Sequence, residues 1–236
     1  MPGKRVMKKV FTFHGSDSSC GCAWLSRRTA EMVAEKRKDL RVLLVHASHS
    51  GSAGTCLSGA SMESIRPYVC ARKALPQGAA ERTACRGDLS VISGAGPSAV
   101  FGAFCPDMSE SFIKRMAAEY DIVICDSGSE IGQGLPLGAM FASDSIYAVF
   151  SHSEESFRRF EWLRPLYEKL GLKLNGYVLD RFPADSPYPP EYVSERLGVD
   201  IGRVFFIPFA ALKKDIETIA EDIIKDAPEA PESLAV

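Results

Sequence analysis

The sequence lacks any apolar run long enough to cross a membrane, and no charge of one sign dominates it. A membrane-spanning helix needs roughly 18 or more consecutive apolar residues, and no stretch of the 236 residues is that long. Lysine and arginine number 28 against 30 aspartates and glutamates, a net charge of -2. The sequence therefore predicts no membrane span and no nucleic-acid binding driven mainly by charge.

The sequence also lacks a segment typical of secretion. The basic N-terminus is followed by an apolar stretch of only four residues, 10–13, whereas the apolar region of a signal peptide needs about 7 or more. The seven cysteines are an odd number, which is typical of thiols in a reducing compartment rather than of a disulfide framework. We expect a cytoplasmic protein.

Short apolar segments alternate with amphipathic ones along the chain. Strands are predicted at 9–13, 41–45, 89–92, 121–125, 145–150, 174–179 and 204–207. Helices are predicted at 23–36, 62–71, 109–120, 153–170 and 211–225. The strands are apolar without alternation, as in a sheet that is covered on both faces. The sequence therefore predicts an α/β three-layer sandwich with a mostly parallel sheet.

No internal repeat, low-complexity block or linker interrupts this alternation. We therefore expect a single domain over residues 1–225. The last segment, 226–236, contains two prolines and is predicted to be a flexible tail.

Three loops rich in glycine and serine follow predicted strands, at 14–23, 46–53 and 126–134. Ligands of open α/β sheets bind where the carboxyl ends of the strands meet. The first loop leads into a helix, an arrangement that directs backbone N–H groups and the helix dipole at a phosphate. Ordinary strand-to-helix turns use the same residue types, so the loop alone fits either a phosphate site or a plain turn.

The order of these segments resembles that of the MinD/ParA family of P-loop ATPases. The resemblance covers residues 7–225, and its best parts are DIVICDSG at 121–128, LNGYVLDRF at 174–182 and FFIPF at 205–209. Within the family, the pilus-assembly branch of Tad/CpaE-like proteins is the most similar. The resemblance implies a P-loop NTPase fold, and it implies a homodimer, because paired subunits of this family sandwich nucleotide between them.

The phosphate loop of the resembled family reads G-K-G-G-x-G-K-T-T, and the matching stretch here departs from it. The stretch comprises Ser16, Asp17, Ser18, Ser19, Cys20, Gly21, Cys22 and Ala23. Of these, Gly21 matches a family glycine. The resemblance places the early signature lysine on Asp17, the phosphate-gripping lysine on Cys22 and the magnesium-binding hydroxyl on Ala23.

Three further positions of the family fall on named residues. Its D-x-D sequence after the second strand corresponds to His46 and Ser48. Its Walker B acid is retained as Asp126, whereas the asparagine that the family places near adenine corresponds to Asp180. Recognition of an adenine base is therefore not implied by this sequence.

The replaced residues predict that ATP is not hydrolysed. Phosphoryl transfer depends on positioning and on positive charge around the β and γ phosphates. Here an acid, a thiol and a methyl group replace two lysines and a magnesium ligand, and no lysine occurs between Lys9 and Lys36. The resemblance then implies a localisation or assembly scaffold for a protein partner, such as a pilus or secretion system, that requires no cofactor.

Two other hypotheses remain open at this point. The first is an ATP-dependent dimerising switch that binds ATP weakly through backbone amides and Asp126. The second is a zinc or thiol enzyme, because a thiol at a helix N-terminus is acidified and histidines in neighbouring loops provide ligands or a base. Its residues would be Cys20, Cys22, His14, His46 and His49.

Two helices make different predictions about surfaces. The helix at 153–170 has more aromatic and large apolar residues than one buried stripe needs, so we predict that part of them faces a partner. The helix at 211–225 carries several acids, which an anionic membrane would repel. It is therefore predicted to pack on the sheet.

Overall fold

The computed structural model describes residues 9–48, 61–76, 79–82, 87–94, 104–183, 186–208 and 213–227. The strands in these ranges are β1 (Val10–Gly15), β2 (Val42–His46), β3 (Glu81–Arg82), β4 (Leu89–Ile92), β5 (Ile122–Asp126), β6 (Ser145–Ser151), β7 (Leu174–Phe182) and β8 (Val204–Pro208). The helices are α1 (Cys22–Lys36), α2 (Met62–Cys70), α3 (Pro106–Glu119), α4 (Gly134–Ala142), α5 (Glu154–Lys169), α6 (Pro190–Leu197) and α7 (Lys213–Lys225).

The strands form one sheet in the order β3-β4-β2-β5-β1-β6-β7-β8. Strand β3 pairs antiparallel with β4, and the pairs among the other strands are parallel. The central strand β1 lies between β5 and β6, with Phe13 paired to Asp126 on one side and to Tyr147 on the other. The carboxyl ends of β1, β2, β5 and β7 therefore meet at one edge of the sheet.

Helices cover both faces of the sheet, which confirms the predicted three-layer α/β architecture. Phe11 and Phe13 belong to the core cluster beneath α1 and α7. Val10, which points to the opposite face, packs with residues of α2, α3 and α4. Farther along that face, β6 and β7 pack against α5 and α6. The strands were apolar on both faces because both faces are buried.

Some elements were missed or misplaced by the sequence analysis. Strand β1 extends through His14 and Gly15, which were expected in the loop. Helix α4 was not predicted: the expected third loop ended at Gly134, and Gly134, Pro136 and Gly138 weaken the helix propensity of the segment. Gly138 has a packing role, since a Cβ there would lie 2.4 Å from the Cβ of Ser109 on α3.

The start of α3 and the segment containing α6 differ from expectation in the same way. Helix α3 begins at Pro106 rather than at residue 109, because proline fits the first turn of a helix, where its missing N–H needs no partner. Helix α6 (Pro190–Leu197) was not predicted, although it too begins with proline and ends at Gly198 in the left-handed conformation. Residues 49–53 of the second expected loop and 228–236 of the expected tail lie outside the described residues.

The burial of side chains on α5 and α7 bears on the two predictions about surfaces. On α5, Phe157, Phe160, Leu163 and Tyr167 are buried, whereas Trp162 is 75% exposed. Trp162 is therefore the main exposed apolar residue of α5. A protein partner that covers it remains a prediction. Helix α7 packs on α1 and the sheet through Ile216, Ile219 and Ile223. None of the helices in the described ranges is long and apolar enough to cross a bilayer.

Candidate functional site

A cavity of about 470 Å³ opens where the carboxyl ends of β1, β2, β5 and β7 meet. Its walls are the loop after β1, the first turns of α1, the start of the loop after β5, and single residues that follow β2 and end β7. Small-molecule sites of proteins have volumes of roughly 300–1,000 Å³ and favour this edge of an α/β sheet. The cavity therefore has the place and size of a ligand site.

The structure brings most of the predicted site residues to this cavity. Those that line it are Asp17, Ser18, Ser19, Gly21, Cys22, Ala23, Ser48 and Asp126. The remaining four are buried beside the wall rather than lining it; they are Ser16, Cys20, His46 and Asp180. These four can shape the cavity and its charge but do not face a ligand directly.

The side chain of Asp17 holds the loop after β1 in shape. Its Oδ1 accepts hydrogen bonds from the backbone N–H and the hydroxyl of Ser19, at 2.8 and 2.5 Å. Its Oδ2 accepts from the hydroxyls of Ser156, Ser16 and Ser151, at 2.7, 3.1 and 3.3 Å. Burial opposes the charge of Asp17, but these hydrogen bonds outweigh it and hold its pKa below the ordinary 3.8. The carboxylate is therefore ionised at neutral pH.

Gly21 lets the chain turn from this loop into α1. Its φ is 76°, in the left-handed region that glycine enters without strain. A Cβ at this position would lie 2.2 Å from Oδ2 of Asp180, so a larger residue would collide with the end of β7. The one glycine that matches the resembled family is thus required by backbone geometry and by close approach.

Asp126 lies at the bottom of the cavity and is fully buried. It accepts hydrogen bonds from the backbone N–H of Gly128 at 3.0 Å and from the hydroxyl of Ser48 at 3.3 Å, and Nδ1 of His46 lies 3.2 Å from its Oδ2. Burial opposes its charge, yet the contacts with His46, Gly128 and the thiol of Cys22 lower its pKa. The cavity thus contains a second carboxylate, opposite the first turn of α1.

The two loop cysteines are poor nucleophiles. Burial raises the pKa of Cys20 to about 12. Burial, with the neighbouring charge of Asp126, raises the pKa of Cys22 well above its ordinary 9.0. The thiolate is the reactive form of cysteine, and both side chains stay protonated at neutral pH. The expectation that a thiol is acidified here is wrong, because burial and the neighbouring carboxylates raise the pKa of both cysteines.

The zinc hypothesis finds no ligand set among the described residues, where no three His, Cys, Asp or Glu side chains are grouped to hold a metal. His14 is buried in β1, with Nδ1 2.9 Å from the hydroxyl of Ser127 and its ring packed edge-on against Tyr167. Burial lowers its pKa to about 4, against a smaller opposing effect of Asp126. His49 lies outside the described residues.

Three cavity residues were missed by the sequence analysis: Trp24, Arg27 and Arg181. Trp24 and Arg27 are three residues apart on α1, a spacing that puts both on one face of a helix and that could have identified them as a pair. Arg181 is the second-last residue of β7 and has a φ of 56°. Its Nη2 donates to the carbonyl of Ser19 at 2.6 Å, and its Nε lies 3.3 Å from Asp180. No motif in the sequence marks that approach.

Comparison with known proteins supports the fold. Neither protein-family models nor curated protein sequences match this chain. Among solved structures, the ParA family ATPase from Chlorobium tepidum TLS is similar with a TM-score of 0.70 and 20% identity over 94% of each chain. The cell division ATPase MinD from Pyrococcus furiosus gives a TM-score of 0.69 at 17% identity, covering 98% of this chain and 93% of that one.

A third similar structure contains a nucleotide. The septum site-determining protein MinD from Pyrococcus horikoshii OT3, complexed with Mg-ADP, has a TM-score of 0.67 and 16% identity, covering 94% of this chain and 87% of that one. The fold of our protein is therefore that of a P-loop NTPase. Within that class it is the fold of the MinD/ParA ATPases. At these identities the likeness establishes the fold and leaves the activity to be argued from the site.

Proposed function

We propose that this protein is a scaffold of the MinD/ParA fold that localises or assembles a protein partner and does not hydrolyse ATP. The charge of the cavity wall carries this proposal. Asp17 and Asp126 face the cavity, and none of its described lining residues is a lysine. P-loop catalysis depends on positive charge around the β and γ phosphates, and this cavity wall carries the carboxylate of Asp17 where the resembled family has a lysine.

The two arginines of the wall do not reverse this charge. Nε of Arg27 lies 3.0 Å from Glu31, and Nε of Arg181 lies 3.3 Å from Asp180. Each cation thus already has an anionic neighbour, while the charge of Asp17 is satisfied by hydroxyl and amide donors alone. A triphosphate entering the cavity would meet excess negative charge.

The partner of this scaffold is proposed to be a protein. Similar structures include a septum site-determining protein and a cell division ATPase, and a role in placing other proteins follows for our chain by analogy of fold only. The resemblance to the Tad/CpaE-like branch is the reason for proposing a pilus or secretion apparatus as the partner system. We further propose a homodimer that forms without nucleotide.

A second candidate is a nucleotide-dependent switch that binds ATP or ADP weakly and does not catalyse its hydrolysis. The similar fold of a protein complexed with Mg-ADP favours it, as does the position of the cavity against the first turn of α1. Backbone N–H groups at a helix N-terminus bind phosphate without any lysine. An acid at position 17 and a thiol at position 22, where the resembled family has lysines, argue that such binding is weak.

Calorimetric titration with ATP and ADP, with and without magnesium, tests the proposal, together with an assay of phosphate release. We expect no phosphate release and no heat of binding at roughly millimolar nucleotide. Titration at this concentration detects only complexes with a dissociation constant below about 1 mM. Micromolar binding without phosphate release would favour the switch. Phosphate release at a rate typical of enzymes would refute both candidates.

A variant of Asp17 serves as the control that the calorimetric titration can detect an increase in affinity for ATP. Asp17→Asn removes one negative charge from the cavity and keeps a side-chain oxygen that can accept hydrogen bonds from the loop. We expect the variant to bind ATP more tightly than the wild type, with circular dichroism confirming that it folds. Sedimentation of the wild type with and without ATP tests the dimer, which is expected to be independent of nucleotide.

A further inference from the structure

The outer face of α5 carries Trp162, the most exposed large apolar side chain among the described residues. The opposite side of this helix is fully used by the core, where Phe157, Phe160, Leu163 and Tyr167 are buried. Trp162 adds nothing to that core, and its apolar surface is unfavourably solvated unless another molecule covers it. Tryptophan is also enriched at the centres of protein interfaces. The position of Trp162 therefore indicates a contact with another protein.

Two residues of opposite charge lie on the same stripe of α5 as Trp162. Glu155 is seven residues before the tryptophan and Lys169 is seven residues after it, and residues seven apart lie almost in line along an α-helix. Both side chains are exposed, and neither has an ion-pair partner within the part of the chain that the structure describes. The stripe thus presents an anion, an aromatic ring and a cation at intervals of about 10.5 Å.

This stripe is complementary to a second copy of itself. In a two-fold dimer each surface patch meets the same patch of the partner copy. If two copies of α5 pair antiparallel with the axis at Trp162, the residue seven positions before the axis faces the residue seven positions after it. Glu155 of each protomer then faces the partner's Lys169, and the two indoles meet at the axis. A shallow crossing of about 20°, as in coiled coils, keeps the charged groups within reach of each other.

The neighbouring charges favour a second copy over other partners. Nε of Arg158 lies 3.1 Å from Glu154, so this cation is already balanced within the protomer. Arg159 has no acidic partner among the described residues, and in the antiparallel pair it faces the partner's Pro165, on which its aliphatic stem can pack. A phospholipid membrane or a nucleic acid would be repelled by Glu155, whereas a second copy of α5 neutralises it.

We propose that two copies of this protein associate through the outer faces of α5, with Trp162 at the two-fold axis and Glu155 paired with the partner's Lys169. This interface rests on the proposed function, because it is the surface of the homodimer proposed there. It leaves the cavity open, so the dimer needs no nucleotide between its subunits. One helix from each protomer buries less than the roughly 1,200–2,000 Å² of stable complexes, and we expect a dissociation constant in the micromolar range.

Sedimentation equilibrium of the full chain at about 1–100 μM tests the interface. We expect the wild type to change from monomer to dimer over this range, equally with and without Mg-ATP. Trp162→Ala is expected to weaken association about tenfold or more, the usual effect of truncating an aromatic residue at the centre of an interface. The matched control is Trp24→Ala, which removes the tryptophan of the cavity wall and is expected to leave the dimer unchanged.

An exchange of charges tests the pairing between the two copies. Glu155→Lys and Lys169→Glu are each expected to weaken the dimer about fivefold or more, because each substitution turns two attractive pairs into repulsive ones. The variant with both substitutions is expected to recover the affinity of the wild type.

Recovery in the double variant cannot come from the stability of α5. Glu155 is in the first turn of the helix and Lys169 in the last, so each wild-type charge also interacts favourably with the helix dipole. The double variant loses both of these interactions, and an effect through helix stability would make it the weakest of the three. Circular dichroism confirms the fold of each variant.

Three results would overturn the inference. A wild type that stays monomeric up to about 100 μM would leave Trp162 to a different protein and would also remove the homodimer from the proposed function. A dimer that survives Trp162→Ala and is lost in Trp24→Ala would place the interface at the cavity and keep the homodimer. A double charge variant that associates no better than the single ones would contradict the antiparallel pairing. Phosphate release from ATP is measured independently of all three.

Discussion

The carboxylate of Asp17 accepts a hydrogen bond of 2.7 Å from the hydroxyl of Ser156, a residue 139 positions away in the chain. Asp17 lies in the loop after β1, whereas Ser156 lies in the first turn of α5. The bond therefore connects the loop that lines the cavity to helix α5, which follows β6. In this protein an acid orders the loop from within, so the loop does not depend on a bound phosphate for its shape.

We expect Asp17→Ala to lower the free energy of unfolding by about 1–3 kcal/mol, because it leaves the hydroxyls of Ser16 and Ser156 and the N–H of Ser19 without their acceptor. Unfolding in urea measures the change. The control is Asp39→Ala, whose ion pair with Arg37 is at the surface and contributes about 0–1 kcal/mol. Equal effects of the two substitutions would contradict the ordering role of Asp17.

The lowered pKa of Asp17 adds a dependence on pH to the same comparison. A carboxylate whose pKa is lower in the folded state stabilises the protein above its unfolded pKa of about 3.8, and that stabilisation is lost as the pH falls through the folded value. The wild type and Asp17→Asn should therefore differ most near neutral pH and converge below pH 3.8. If the difference in unfolding free energy between the two proteins grows on acidification, the pKa of Asp17 is raised in the folded state instead.

The buried imidazole of His14 makes the stability fall on mild acidification. Burial lowers its pKa from 6.5 to about 4, so between these values the unfolded chain binds a proton that the folded protein does not. The free energy of unfolding should therefore decrease by about 3 kcal/mol as the pH falls from 6.5 to 4. Below pH 4 both states are protonated, so His14 causes no further change and the stability lost above pH 4 is not regained.

Urea unfolding over this pH range measures the effect, and two variants identify its source. In His14→Phe the decrease is expected to be largely absent. In His152→Asn it should persist, because His152, between β6 and α5, is only partly buried where it packs against Phe182 and Tyr188. An unchanged pH profile in His14→Phe would assign the acid sensitivity to other groups.

The cysteines should differ sharply in reactivity. Burial raises the pKa of Cys20 and of Cys125 to about 12, and Cys22 is also raised, whereas Cys70 and Cys105 are exposed. Brief treatment of the native protein with iodoacetamide should modify the two exposed residues and spare the three buried ones. Peptide mapping by mass spectrometry measures this for the five described cysteines, with protein unfolded in urea as the control in which all seven cysteines of the chain react. Rapid modification of Cys22 in the native protein would revive the thiol hypothesis.

A hydrogen bond from Tyr147 to Asp222 fixes α7 on the sheet. The hydroxyl of Tyr147 donates to Oδ2 of Asp222 at 2.7 Å, and its ring stacks on Phe13 with 5.1 Å between the ring centroids. Tyr147→Phe keeps the ring and removes the bond, so we expect a loss of about 1 kcal/mol in unfolding free energy. Hydrogen exchange of the α7 amides should become faster.

The surface link between α1 and α7 provides the control for this prediction. Lys36 pairs with Glu217 and Glu221 near the solvent, and such pairs contribute little. Lys36→Ala should change the unfolding free energy by less than about 1 kcal/mol and leave the exchange of α7 nearly unchanged. The reverse order of effects would mean that the ion pairs, not the tyrosine, hold α7.

The strands and long helices could be predicted because their local pattern agrees with their final environment. Segments such as 122–125 are apolar throughout, and in the structure both of their faces are buried. Helix α4 could not be predicted, because Gly134 and Gly138 argue against a helix locally and are explained only by the close approach of Phe104 and Ser109. Local propensity is outweighed there by contacts with residues that are distant in sequence.

The residues of the candidate site could likewise be predicted only in part. Asp17, Cys22 and Asp126 were identifiable because each follows a strand whose end lies at the shared edge. Trp24 and Arg181 were missed, since only the three-dimensional arrangement of α1 and β7 places them on one cavity. The thiol acidity was predicted wrongly because the sequence does not show that Cys20 and Cys22 are buried next to a carboxylate.

The order of strands in the sheet also determines when the cavity can form during folding. Its walls come from segments near residues 17–27, 48, 126–129 and 181, and these meet only after β1 has joined β5 and β6, and β7 has joined β6. Contacts between such distant segments make folding slow and cooperative. The site therefore arises in the same step as the complete sheet, and no isolated fragment of the chain should retain it.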